Sequence, residues 1–155
     1  MQPVVQIMNE SYKESHSLYC VTRYVTHDKE GRPLRYCGSP NTRIDHIADD
    51  MRYVKSYFGK EHGRLVRHFV VSFDNAYGFC AAELNVIAYR ICRYYSDTYQ
   101  IVFGVHEDTD NLHIHFAMNT VSYVDGKMYS EGYIDSYMLK NYINHVVREY
   151  NGDID

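Results

Sequence analysis

The chain has 155 residues, enough for one ordinary domain with one hydrophobic core, and its hydrophobic and charged fractions of 45% and 23% exclude a disordered or fibrous polymer. Sixteen Lys and Arg stand against 20 Asp and Glu, a formal net charge of −4 that argues against binding through many phosphate contacts. No apolar run approaches the roughly 20 residues of a membrane helix, and the start, MQPVVQIMNE, lacks the regions of a secretion signal, so a soluble, cytoplasmic domain over residues 1–155 is expected.

Val4–Met8 is a short apolar run that fits a strand. Ser15 or Ser17 can open a helix to about Thr26, with Leu18, Val21 and Val25 on its inner stripe. A charged turn over His27–Pro33 and a short strand at Leu34–Cys37 follow, the latter ended by Gly38-Ser39-Pro40. Asn41 or Thr42 then opens a helix in which Ile44, Ile47, Met51, Val54 and Phe58 recur at helical steps until Gly59. Val66–Phe73 is a strand with Phe69, Val71 and Phe73 on one face and His68, Val70 and Ser72 on the other.

A helix from about Ala81 to Tyr95 turns Leu84, Ile87 and Ile91 inward. Strands at Gln100–His106 and His113–Val121 come next, then a hairpin-type turn at Val124-Asp125-Gly126-Lys127 and a helix from about Ser136 to Tyr150. This order predicts an α+β fold, a largely antiparallel sheet with helices mainly covering one face.

Charge is unevenly spread along these elements. From Arg23 to Arg67 there are ten basic and six acidic residues, and Lys55, Lys60, Arg64 and Arg67 form a candidate phosphate-contacting run. Cys20, Cys37, Cys80 and Cys92 show no Cys-x-x-Cys spacing and read as reduced thiols without chemistry. The compositional oddities are 17 Tyr, nine His and no Trp.

The informative stretch is GVHEDTDNLHIHFAMNTV, residues 104–121. Strand alternation puts His113, His115, Ala117 and Asn119 on one face, and Ile114, Phe116 and Met118 on the other. If the two strands pair as an antiparallel hairpin, His106 lies opposite His113 and Gly104 opposite His115. Three imidazoles then converge where a glycine leaves room, the pattern of an open metal site with positions left for substrate. A lone His-x-His is more often a surface or core pair, and it is the third histidine that favours a metal. A metallo-β-lactamase-type zinc hydrolase would carry Asp-His where Ala117 and Met118 stand.

The block His106-x-Asp108-x-x-x-x-His113-x-His115-x-x-x-Asn119 resembles the third motif of MobP-type conjugative relaxases, members of the HUH (His-hydrophobic-His) endonuclease superfamily. Val70-Val71-Ser72-Phe73 resembles their second motif. Ser17–Thr26 resembles the first, whose helix carries a nucleophilic tyrosine, here Tyr24, with Tyr19 its rival.

The resemblance implies a palm-like (RRM-like) layer and metal-dependent nicking and rejoining of single-stranded DNA at an origin of transfer, through a 5′-phosphotyrosyl intermediate. It implies conjugative mobilisation of a plasmid or integrative element, with accessory relaxosome proteins as further partners. His106, His113 and His115 would hold one divalent ion, Mn²⁺ or Mg²⁺, with Zn²⁺ the alternative. Ser72, Asp108, Asn119, Arg64 and Arg67 are the supporting or DNA-binding candidates, and Asp108, Asp110 and His68 the candidate proton acceptors. Competing readings are a replication initiator of the same superfamily using Tyr133, Tyr137 or Tyr142, a non-catalytic DNA-binding remnant, and a small-phosphoester metallohydrolase.

Overall fold

A computed structural model describes residues 1–153. Five strands, β1 (Val4–Ile7), β2 (Cys37–Gly38), β3 (Val66–Ser72), β4 (Ile101–His106) and β5 (His113–Asn119), form one sheet in the order β1-β3-β5-β4-β2. All neighbouring pairs are antiparallel. The four helices are α1 (Ser17–Thr26), α2 (Ile47–Tyr57), α3 (Ala81–Cys92) and α4 (Tyr133–Tyr150), with one 3-10 turn at Asn75–Tyr77. The class is α+β with an antiparallel sheet.

Side-chain alternation along the three central strands sorts the core into two layers. On one face Phe69, Phe116 and Phe103 stand in register across β3, β5 and β4, and the Phe69 and Phe116 rings stack 4.7 Å apart. This larger core is covered by α3, through Leu84, Ile87 and Ile91, and by α4, through Leu139, Ile143 and Val146. The other face also carries helices, with Leu18, Val21 and Val25 of α1 and Ile47 and Met51 of α2 packing on Val66, Val102 and Ala117. That smaller core occupies one end of the face and leaves the other end to histidines.

α1 is capped by neither Ser15 nor Ser17, α3 ends at Cys92 instead of near Tyr95, and α4 begins at Tyr133 instead of near Ser136, while two elements depart further. The strand expected at Leu34–Cys37 is reduced to Cys37–Gly38, so Gly38 lies inside it instead of ending it. The second helix starts at Ile47, not at Asn41 or Thr42, and Ile44 is exposed. The reason is side-chain competition for backbone groups. Asn41 Nδ2 donates to the Ser96 and Tyr99 carbonyls at 3.0 and 2.9 Å, and Ser39 Oγ donates to the Ile101 carbonyl at 2.6 Å. These bonds hold residues 39–42 against the start of β4 in an irregular path. At its other end α2 stops as expected, with Gly59 in the left-handed region at φ 66°.

The expected basic run is absorbed into the fold. Arg67 is fully buried on the α3/α4 face, with its guanidinium 4.7 Å from the Tyr129 ring centroid and 5.4 Å from that of Tyr95. Lys55 is buried and donates to Thr120 Oγ1 at 3.0 Å, and burial pushes its ammonium down to about 8. Lys60 donates to the Gly126 carbonyl, and Arg64 pairs with Glu131. A run of cations in sequence carried no information about which of them the sheet would turn inward.

Candidate active site

The three histidines meet as the hairpin register requires: His106 pairs with His113, and Gly104 with His115. One ligand nitrogen from each can be chosen so that all three lie within 4.8 Å of one another. Ring centroids are 4.3 Å apart for His106 and His115, 5.0 Å for His113 and His115, and 5.4 Å for His106 and His113.

Each ring has one nitrogen already engaged. His106 Nε2 lies 2.9 Å from the Val25 carbonyl, which can only accept, so the imidazole donates there and keeps Nδ1 free. His113 Nδ1 donates to the Asn111 carbonyl at 3.1 Å and keeps Nε2. His115 Nδ1 lies 2.8 Å from His68 Nε2, again leaving Nε2. Three spare lone pairs on rings held by outer hydrogen bonds are what a bound ion requires. The donor set also discriminates. Three neutral nitrogens suit a transition-metal ion better than Mg²⁺, which prefers oxygen.

Burial favours the neutral form of His106, His115 and His68. It is the largest cause of lowering at His106, and it pushes His68 down to about 4. His115 falls to about 2, through burial first and then its imidazole neighbours. For the metal-free chain the sign follows. An unfolded imidazole takes a proton as pH falls through roughly 6.5, whereas the folded rings resist it down to about 4 at His68. Stability is therefore full above the unfolded value and lost as pH falls from there through the folded one. With chelator present, the urea midpoint is expected to fall steadily over that window, and a midpoint that rises on acidification contradicts it.

Tyr24 stands over this cluster from α1. Its ring centroid lies 5.1 Å from that of His115, 5.8 Å from His106 and 6.0 Å from His68. It is 58% exposed, so one side of the ring faces solvent. The helix reaches the sheet closely because Gly104 has no side chain: a Cβ there would lie 1.9 Å from the Val25 carbonyl oxygen. The room left by that glycine is thus filled by backbone of the tyrosine helix. That carbonyl, in the last turn of α1 where helical acceptors go unpaired, is the one that receives His106 Nε2–H. Helix and histidine cluster are fastened to each other one residue from Tyr24.

A family model described as Relaxase, MobA/VirD2-like, nuclease domain matches residues 19–152, which span both the Tyr24 helix and the histidine hairpin. The chain belongs to this relaxase family. As a relaxase nuclease domain it is a DNA-binding endonuclease tied to conjugation. The fold agrees. A solved structure described as "Molecular Basis of Vancomycin Resistance Transfer in Staphylococcus aureus" superposes with a TM-score of 0.68 over 99% of this chain and 94% of that one, at 10% sequence identity. No curated protein sequence matches the chain. Among the described residues, no helix is long and apolar enough to cross a membrane.

The remaining candidates of this relaxase domain separate clearly. Ser72 is half-buried and pairs across the strands with His113, at the edge of the cluster. Asp108 forms an ion pair with Lys29 at 3.6 Å, joining the β4–β5 loop to the turn after α1, and its charge favours protonated His106. Asn119 belongs to the scaffold: it is fully buried and donates to the Met51 carbonyl and Gln100 Oε1 at 3.1 and 2.9 Å. Arg67 lies on the opposite face of the sheet, and Arg64 is tied to Glu131.

Tyr19, five residues before Tyr24, is turned about 140° around the helix. It lines two grooves of about 490 and 460 Å³ on the α2 side, away from the histidines. Tyr133, Tyr137 and Tyr142 belong to α4, which packs on the far face.

Residue-level reading missed the link between His68 and His115, although alternation placed His68 on the correct face. The missing signal was that β3 and β5 are neighbours, since their pairing joins segments some 40 residues apart.

Proposed function

We propose that this relaxase domain cuts one strand of DNA at an origin of transfer, with Tyr24 as nucleophile, and initiates mobilisation of a plasmid or integrative element. The observation that carries the reading is the Tyr24 ring lying 5.1 and 5.8 Å from His115 and His106, two of the three histidines whose ligand nitrogens converge. The Tyr24 oxygen attacks the scissile phosphorus and forms the phosphotyrosyl bond. The bond to the 3′ oxygen breaks, and that oxygen leaves as a 3′-hydroxyl after taking a proton. The phenol proton passes to solvent on the open side of the ring. Because the phosphate remains ester-bonded, reversal rejoins the strand.

His106, His113 and His115 would hold one divalent ion, with Mn²⁺ or Zn²⁺ better suited than Mg²⁺, and when bound it would polarise the non-bridging phosphate oxygens and offset their charge. His106 also orients α1 through the Val25 carbonyl. Ser72, beside His113, is placed to donate to a phosphate or base near the nick.

The test is incubation with a single-stranded transfer-origin oligonucleotide and Mn²⁺. A protein–DNA adduct stable to denaturation is expected, lost with chelator and reversed by excess 3′-hydroxyl strand. Multiple turnover on a small phosphodiester without any adduct would instead support the metallohydrolase reading.

Affinity for that strand should depend weakly on salt. Most cations of residues 23–67 are already engaged: Arg32 with Asp28, Arg43 with Asp50 at 2.7 Å, Lys29 with Asp108, Arg64 with Glu131, and Lys55 and Arg67 by burial. Each phosphate neutralised contributes a slope of about −0.7 in log K against log salt for single strands. A slope shallower than about −3 is expected, equivalent to roughly four contacts. A slope near −7 contradicts it.

A further inference from the structure

The bond from His115 to His68 does not end there. His68 Nδ1 lies 3.2 Å from Tyr12 Oη, and Tyr12 Oη donates to Glu10 Oε2 at 3.2 Å. Four side chains therefore form one row from the surface carboxylate to the buried histidine: Glu10, Tyr12, His68, His115. A carboxylate only accepts, so the Tyr12 hydroxyl proton is committed to Glu10. Tyr12 Oη must then accept from His68 Nδ1–H. A neutral imidazole has one N–H, so His68 Nε2 accepts from His115 Nδ1–H, and His115 Nε2 is left with its lone pair.

We infer that Glu10, Tyr12 and His68 are positioning residues that set the direction of this row and so fix His115 in the Nδ1–H tautomer, with Nε2 aimed into the histidine cluster. The inference rests on the metal-site reading only for its purpose, since the tautomer is a property of the metal-free chain. The row is built at a cost. Among the described residues Tyr12 is the non-glycine residue with positive φ, at 45°, a left-handed conformation that a bulky side chain rarely adopts. Its carbonyl is held there by the Leu65 N–H at 3.0 Å. Glu10 and Tyr12 precede the matched segment of residues 19–152, whereas His68 and His115 lie within it.

Outer-shell partners of metal-binding histidines change affinity by about 10–100-fold when removed. Tyr12→Phe keeps the ring and its packing but deletes the oxygen, so the His68–His115 pair can run in either direction. Two readouts on the full chain test this. Long-range ¹H–¹⁵N correlation spectra of the metal-free protein should show His115 as the Nδ1–H form in the wild type, and a large Nε2–H population in Tyr12→Phe and Glu10→Leu. Titration calorimetry with Mn²⁺ should show at least a tenfold weakening in both variants, with Glu10→Gln, which still accepts through Oε1, close to wild type. His115 as Nε2–H in the wild type overturns the inference, as do variants matching the wild type in tautomer and affinity. A wild-type chain with Nδ1–H at His115 that binds no metal refutes the metal site while supporting the row.

Discussion

Tyr24→Phe is expected to bind the transfer-origin strand like wild type and to form no covalent adduct with it, a loss of more than roughly 1,000-fold in cleavage rate. The ring packs edge-on to His115 and tilted over His106, and phenylalanine preserves both contacts. The oxygen is the sole atom removed, and it lies on an exposed ring, so no buried polar partner is orphaned and the melting temperature should move little. Tyr19→Phe should retain full adduct formation, because that side chain faces the grooves on the other flank of α1. Gel-shift and denaturing-gel measurements on the same samples separate binding from bond formation. Equal adduct yield from Tyr24→Phe and wild type would remove Tyr24 from the chemistry.

Gly104→Ala is expected to cut the adduct-forming rate by about 100-fold without touching a reacting group. The added methyl would sit 1.9 Å from the Val25 carbonyl oxygen and 2.8 Å from Leu34 Cδ1. An ordinary contact is about 3.5 Å, so α1 or β4 must give way by roughly 1.5 Å. That movement breaks the His106–Val25 bond and swings Tyr24, and a misplacement of about 1 Å can cost about 100-fold in rate. Overpacking of this kind also destabilises by about 1–3 kcal/mol, so thermal unfolding should report a lower midpoint for a chain that still folds. Retention of the full rate would show that helix and hairpin are not as tightly coupled as the Gly104 contact requires.

The histidine hairpin was legible in sequence because its geometry is local. Six residues separate His106 from His113, and alternation does the rest, so the register needed nothing beyond the loop length. Tyr24 was legible only by resemblance, since nothing in Ser17–Thr26 states which of two tyrosines faces the sheet until the helix is docked by Leu18, Val21 and Val25. What stayed hidden was non-local. The neighbouring of β3 and β5 puts His68 against His115 and Arg67 among Tyr95 and Tyr129. The late start of α2 has the same origin, because Asn41 and Ser39 bind a backbone segment some 55 to 62 residues away.

Helix cover was partly legible too. One helix-covered face was expected, and α3 and α4 supply it over the larger core, but α1 and α2 occupy part of the second face, where the histidines meet Tyr24 of α1. That shared face is the centre of the functional account, and one measurement addresses it directly. The adduct formed with the transfer-origin strand is digested with protease and nuclease, and the peptide bearing the residual nucleotide is sequenced by mass spectrometry. Modification is expected at Tyr24 alone. Modification at Tyr19, or at Tyr133, Tyr137 or Tyr142 on the opposite side of the sheet, would contradict it.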